Sequence, residues 1–206
     1  MKYLENIQEV AALQPDYLGF IFYEKSKRNF DGIIPGIPIS IKKTGVFVNA
    51  TIAFVVDKIQ KYDLQAVQLH GDESVEYITE LRGQFERSRE LEIIKVFGIK
   101  AAFNFDILKP YADLVDYFLF DTKGKERGGN GIVFDWKVLE KYPYEKPFFL
   151  SGGIGLEQLS AIHKIRKTDL PIYALDINSK FELEAGLKSV ENIKKFKRNV
   201  ITSKAK

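Results

Sequence analysis

Seven short apolar runs, rich in β-branched and aromatic residues, constrain this chain more than any other feature. They are Tyr17-Leu18-Gly19-Phe20-Ile21-Phe22, Gly45-Val46-Phe47-Val48, Ala66-Val67-Gln68-Leu69, Ile93-Ile94-Lys95-Val96-Phe97, Tyr117-Phe118-Leu119-Phe120, Phe148-Phe149-Leu150 and Ile172-Tyr173-Ala174-Leu175. Most are nearly continuous rather than alternating, the pattern of strands buried on both faces in a parallel sheet covered by helices. Between them lie stripes spaced at three and four residues, as amphipathic helices require. Leu4, Ile7, Val10, Ala11 and Leu13 mark the first. Ile52, Val55, Val56 and Ile59 mark the second. Val75, Ile78 and Leu81 follow, then Leu156, Leu159, Ile162 and Ile165. A last helix is expected over about residues 189–198.

Helix and strand alternate, and strand starts recur about every 20–30 residues, the rhythm of βα units. The 206 residues carry no Pro-, Gly- or Ser-rich linker, so residues 1–206 read as a single domain. Two architectures fit: an open doubly wound sheet and a (β/α)₈ barrel. An eight-stranded barrel usually starts with a strand. Here the sequence starts with a helix, so a first strand is expected to be missing from the front.

Composition narrows the chemistry. Hydrophobic residues are 45% and charged residues 29%, an ordinary globular mix. A net charge of +3 is too small to argue for nucleic acid. The basic stretch Lys194-Lys195-Phe196-Lys197-Arg198 reads as a cationic helix end. No apolar run approaches the roughly 18 residues of a membrane span, and the first residues lack a signal-peptide core. Cysteine is absent, which excludes disulfides and thiolate metal sites within this sequence and is compatible with a cytoplasmic location. With only His70 and His163 as imidazoles, no cluster of metal-ligand spacing appears, so no metal site is expected.

In parallel α/β folds, function gathers where strands end. Those ends carry Lys25 to Arg28, Asn49, His70-Gly71, Gly98, Asp121-Thr122-Lys123, Ser151-Gly152-Gly153, and Asp176 with Asn178 and Ser179. Gly152 and Gly153 fit a phosphate loop, because glycine lets backbone N–H groups approach an anion and the next helix offers its positive end. They equally fit a turn that needs glycine for its dihedrals. The polar end Asp176-Ile177-Asn178-Ser179 on the next strand favours phosphate, since barrel phosphate sites use the last two loops. Asp121 follows Phe118-Leu119-Phe120; beside apolar surface its pKa would rise, which suits a general acid. A loop cap, or a partner to Lys123 or Arg127, is the equal alternative. Lys123 to Gly131 holds four glycines in nine residues and could close over a ligand. Asp135 is expected to cap a helix, and Trp136 to pack. Arg28 presents a planar fork suited to a carboxylate, or is a solvated loop arginine. His70 could donate a hydrogen bond in the pocket, and His163 is expected at the surface.

These segments, in order, resemble phosphoribosylanthranilate isomerases. Gly19 to Tyr23 with Ser26-Lys27-Arg28 resembles that family's second strand and loop. Gly45 to Asn49 resembles the third strand, and Val67 to Gly71 the fourth. Asp121-Thr122, Gly128 to Gly131 and Phe134-Asp135-Trp136 resemble the sixth strand and its loop. Leu150 to Gly153, and Leu175 to Ser179 with Phe181-Glu182, resemble the last two.

The resemblance implies a (β/α)₈ TIM barrel and a cofactor-free Amadori rearrangement in tryptophan biosynthesis. Its substrate is a small phosphorylated molecule, N-(5-phosphoribosyl)anthranilate, and the enzyme a cytoplasmic monomer or homodimer. It implies Asp121 as the general acid that opens the furanose ring. Arg28 would hold the anthranilate carboxylate, and His70 and Asp176 would line the substrate site. Gly152, Gly153, Asn178 and Ser179 would hold the phosphate.

Two departures stand out. Lys180 occupies a position that is often glycine. The family's general base, a cysteine in an opening Lys-[Val/Ile]-Cys-Gly strand, would fall before Met1. A noncatalytic ligand-binding relative and a different sugar-phosphate barrel enzyme stay open beside the isomerase.

Overall fold

The computed structural model describes residues 1–85, 91–100, 102–122 and 136–202. Seven strands form one parallel sheet in sequence order: β1 (Tyr17–Ile21), β2 (Lys42–Phe47), β3 (Ala66–Leu69), β4 (Glu92–Ile99), β5 (Tyr117–Thr122), β6 (Phe148–Leu150) and β7 (Ile172–Leu175). Each strand pairs in parallel with the next. The helices are α1 (Leu4–Ala11), α2 (Ile52–Tyr62), α3 (Val75–Gly83), α4 (Leu159–Ile165) and α5 (Val190–Thr202). Short 3₁₀ segments at Phe105–Tyr111 and Trp136–Lys141 stand between β4 and β5 and between β5 and β6. A small antiparallel pair, β8 (Glu182–Glu184) and β9 (Leu187–Lys188), precedes α5.

The helices start where local chemistry dictates. Thr51 caps α2 by accepting from the Phe54 N–H, and Ser74 caps α3 by accepting from Tyr77. Apolar stripes on the helices, through Ile7, Val55, Ile59, Ile78, Leu81 and Ile162, pack on the outer face of the sheet and build the main core. A second, smaller cluster contains Ala66, Ile94, Val96, Leu119 and Phe149 and no helix residue. It is the inner face. Side chains alternate along a strand, so residues two apart share a face. The inner face therefore continues from Gln68 to His70, from Leu119 to Asp121, from Phe149 to Ser151 and from Ala174 to Asp176. One period-two rule explains why those polar residues share one side of the sheet.

The sheet curls until its first and last strands approach. The Tyr17 and Tyr173 rings lie 6.4 Å apart, with their hydroxyls 3.4 Å apart. Tyr117 stacks on Tyr173 at 4.4 Å, and Phe149 packs edge-on against Tyr17 at 5.1 Å. This aromatic plug closes the end of the sheet where the strands begin. The ladder between β1 and β7 is not formed. On the open side of β1, the Met1 nitrogen donates to the Gly19 carbonyl at 2.7 Å.

Several expected boundaries move. β2 begins at Lys42, three residues before the apolar run at Gly45. Lys42 pairs with Glu92 and Lys43 with Asp63, so its polar start is held by ion pairs. α5 runs to Thr202 rather than ending near residue 198. Trp136 is buried, as a packing residue should be. His163 is half-buried rather than a surface residue, and its Nε2 is fully covered.

Candidate active site

A cleft of about 1490 Å³ opens on the inner face and along the gap between β1 and β7. Arg28, His70, Asp121, Gly152, Gly153, Asp176, Asn178 and Ser179 all line it. The loop after β1 brings Arg28, and the ends of β3, β5, β6 and β7 bring the others. Lys25, Ser26 and Lys27 also reach the rim. Asn49 does not. With φ +50 it turns back, accepting from the Asp72 N–H at 2.6 Å to fasten two loops. The expected closing loop from Lys123 to Gly131 and the cap at Asp135 lie outside the described residues.

Gly152 and Gly153 both have positive φ, +88 and +68, so the turn needs glycine for its dihedrals. Both glycines line the cleft. The helical segment that follows opens with a 3₁₀ turn, Leu156–Gln158, which runs directly into α4 at Leu159. Lys180 turns away to Glu157 at 3.3 Å.

Three titratable groups face each other above the plug. His70 Nε2 stands 3.7 Å from Asp121 Oδ2. Ser151 Oγ donates to Asp176 Oδ2 at 3.2 Å. Burial pushes Asp176 upward, reinforced by the neighbouring Asp121 carboxylate and opposed by Lys188, Ser151 and His70. Burial pulls His70 downward, so the imidazole is uncharged near neutral pH.

Arg28 is half-buried and held along one edge by Glu182. Its Nε donates to both Glu182 oxygens at 3.0 and 2.8 Å, and one terminal nitrogen donates to Oε2 at 2.7 Å. The Lys188 ammonium shares the same carboxylate at 3.0 Å and also donates to Asn178 Oδ1. Burial would raise the Glu182 carboxyl, but the Arg28 hydrogen bonds and the Lys188 charge hold it below its usual range.

Sequence reading missed a second buried pair. Lys95 Nζ meets Glu73 Oε2 at 2.9 Å, with side chains 4% and 1% exposed. Lys95 also donates to the Gly71 carbonyl at 2.8 Å. Glu73 accepts from the N–H groups of Asn49 and Gly71. The pair ties the ends of β2, β3 and β4 together directly beside His70. Its signal was faint: one lysine inside the apolar run Ile93 to Phe97. Among the described residues no group of three or more His, Asp or Glu could hold a metal ion, and no helix is long and apolar enough to cross a membrane.

Comparison with known proteins places this geometry. Residues 1–199 match the family described as N-(5'phosphoribosyl)anthranilate (PRA) isomerase. An N-(5'-phosphoribosyl)anthranilate isomerase of Parabacteroides distasonis is 42% identical, over 98% of this chain and 90% of its own length. One from Caldanaerobacter subterraneus subsp. tengcongensis is 35% identical, over 95% and 92%. The crystal structure of the Thermotoga maritima isomerase superposes with a TM-score of 0.80 at 29% identity, over 98% of this chain and 96% of that one. A phosphoribosyl anthranilate isomerase in complex with reduced 1-(o-carboxyphenylamino)-1-deoxyribulose 5-phosphate superposes with a TM-score of 0.76 at 26% identity, over 97% and 94%. The curled seven-stranded sheet is accordingly of the (β/α)₈ type, and this chain belongs to the N-(5'-phosphoribosyl)anthranilate isomerase family.

Proposed function

We propose that this chain performs the isomerase step of tryptophan biosynthesis, converting N-(5'-phosphoribosyl)anthranilate to its 1-deoxyribulose 5-phosphate isomer without a cofactor. The observation that carries the reading is convergence: eight residues from strand ends far apart in sequence line one cleft. Asp121 is the general acid. It protonates the furanose oxygen, the ring opens to a Schiff base, and loss of the C2′ proton gives an enolamine that tautomerises to the ketone. Neutral His70 faces that carboxyl across 3.7 Å. Gly152, Gly153, Asn178 and Ser179 hold the phosphate, Asp176 lines the sugar, and Arg28 receives the anthranilate carboxylate. Residues 1–206 act as one barrel domain.

The base that takes the C2′ proton belongs to a further strand in the gap between β1 and β7. Two observations support this. The cleft extends along that gap, touching Leu18, Gly19 and Ile21 on one side and Ala174 and Leu175 on the other. The Met1 nitrogen already sits in hydrogen-bonding position on the free side of β1. In the family pattern the strand reads Lys-[Val/Ile]-Cys-Gly and ends just before the position of Met1.

A second reading is a binding relative that keeps the phosphate and carboxylate contacts without turnover. Calorimetric titration with the reduced product analogue, beside a turnover assay of the chain with and without Lys-Val-Cys-Gly joined before Met1, separates the two. Binding in both proteins with turnover only in the longer one supports the isomerase. Binding without turnover in either supports the relative. Binding in neither removes both.

A further inference from the structure

Arg28 is committed to Glu182, yet the proposed reaction asks it to receive a second carboxylate. Glu182 engages the Nε edge of the guanidinium through three short contacts. A guanidinium carries five N–H donors. Its other terminal nitrogen makes no hydrogen bond among the described residues, so a donor fork is left over. Geometry alone does not suffice. An arginine cancelled by its own bidentate carboxylate is a neutral pair and offers little attraction to another anion.

Lys188 changes that balance. Its ammonium bonds Glu182 Oε1, the oxygen less engaged by Arg28, so two cations share one anion. The trio keeps one net positive charge. The lysine is held in place independently of any ligand: its backbone N–H donates to Asn6 Oδ1 at 2.7 Å, and its carbonyl accepts from Asn6 Nδ2 at 2.9 Å. Its side chain is 9% exposed and lines the cleft. The same ammonium reaches Asn178 in the proposed phosphate loop.

We propose that Lys188 is a positioning residue for carboxylate recognition: by sharing Glu182 with Arg28, it leaves Arg28 a net-positive fork for the ortho-carboxylate of an aromatic amine joined to a phosphosugar. The inference rests on the proposed function and adds the residue that makes Arg28 selective.

The test is calorimetric binding to the 206-residue chain with two probes. One is reduced 1-(o-carboxyphenylamino)-1-deoxyribulose 5-phosphate, and the other is the same compound lacking the carboxylate. The readout is the ratio of the two Kd values, which cancels any loosening of Asn178 or of the fold. Lys188→Met should lower the preference for the carboxylated probe by about tenfold, the scale of a lost close charge pair. Glu182→Gln combined with Lys188→Met should restore the preference to within about threefold of the parent, because Arg28 is then free of its internal anion. That double variant leaves neither buried charge unpaired, so it is expected to fold even where the single variant does not. An unchanged ratio in Lys188→Met overturns the inference, and so does failure of the double variant to recover. A parent protein that binds neither probe overturns the functional reading, and this inference with it.

Discussion

The two halves of the sheet are built differently. From β2 to β5 the ladder is unbroken, and its loops are fastened by the buried Lys95–Glu73 pair. Phe97, Phe103, Phe118 and Phe120 pack edge to face behind it. Between β1 and β7 the ladder is absent, and a cleft reaches from the inner face to Val10 of α1 and Phe196 of α5. Arg28, Gly152, Gly153, Asp176, Asn178 and Ser179 border that opening, whereas His70 and Asp121 end strands of the unbroken half, which also holds the buried Lys95–Glu73 pair. The unbroken half thus carries both the fastened loops and two of the candidate site residues, and the seam is where a further strand is expected to complete the chemistry.

Changing one acid at the end of β5 is expected to break function without loosening the fastened loops. In a protein carrying the added strand, Asp121→Asn should lower kcat by about 10²–10⁴-fold, the contribution of a general acid. Its urea midpoint should stay near the parent's. Turnover within a few-fold of the parent would remove Asp121 from the mechanism.

The closed side should respond in the opposite way. Lys95→Met strands the Glu73 carboxylate, which is 1% exposed at its side chain, and should cost about 3–5 kcal/mol in urea unfolding. Tyr173→Ser at the seam, where Tyr173 is 49% exposed, should cost less than about 1 kcal/mol. Equal costs would erase the contrast between the halves. Gly71→Ala probes the same fastening more gently. Its new methyl would meet Asn49 Oδ1 at 2.1 Å and Asn49 N at 2.6 Å. A loss of about 1–3 kcal/mol is expected, as for other overpacked sites.

The smallest effect is a slope with pH. Burial holds His70 below its ordinary 6.5, so the unfolded chain takes up that proton first. Stability from this group is therefore full above pH 6.5 and falls as pH drops through 6.5 towards the depressed native value. Asp176 acts with the opposite sign: its raised carboxyl binds a proton in the native state first, so its contribution grows as pH falls towards 3.8. Subtracting the His70→Gln profile from the parent's between pH 7.5 and 5 isolates the histidine. A difference that is flat, or that rises on acidification, would contradict its burial as an uncharged group.

Much of this was legible in the residues because the signals were local. The runs at Ala66–Leu69, Phe148–Leu150 and Ile172–Leu175 are the observed strands. The candidate site residues were found because strand ends are where a parallel sheet exposes polar groups on its inner face. What escaped notice was non-local. Arg28 and Glu182 are 154 residues apart, and Lys95 and Glu73 are 22 apart. No spacing rule links such pairs, and a charged residue within an apolar strand reads as solvated until its partner is seen. The 3₁₀ turn ahead of α4 was missed because the Gly-rich segment gives no sign of where the first full helical turn begins.

The central claim is that the seam between β1 and β7 accepts a strand that brings the base. It is tested most directly by steady-state turnover of N-(5'-phosphoribosyl)anthranilate by two proteins, the 206-residue chain and the same chain with Lys-Val-Cys-Gly joined before Met1. Turnover is expected from the longer protein and almost none from the shorter. Equal rates in the two would place the base elsewhere and contradict the account.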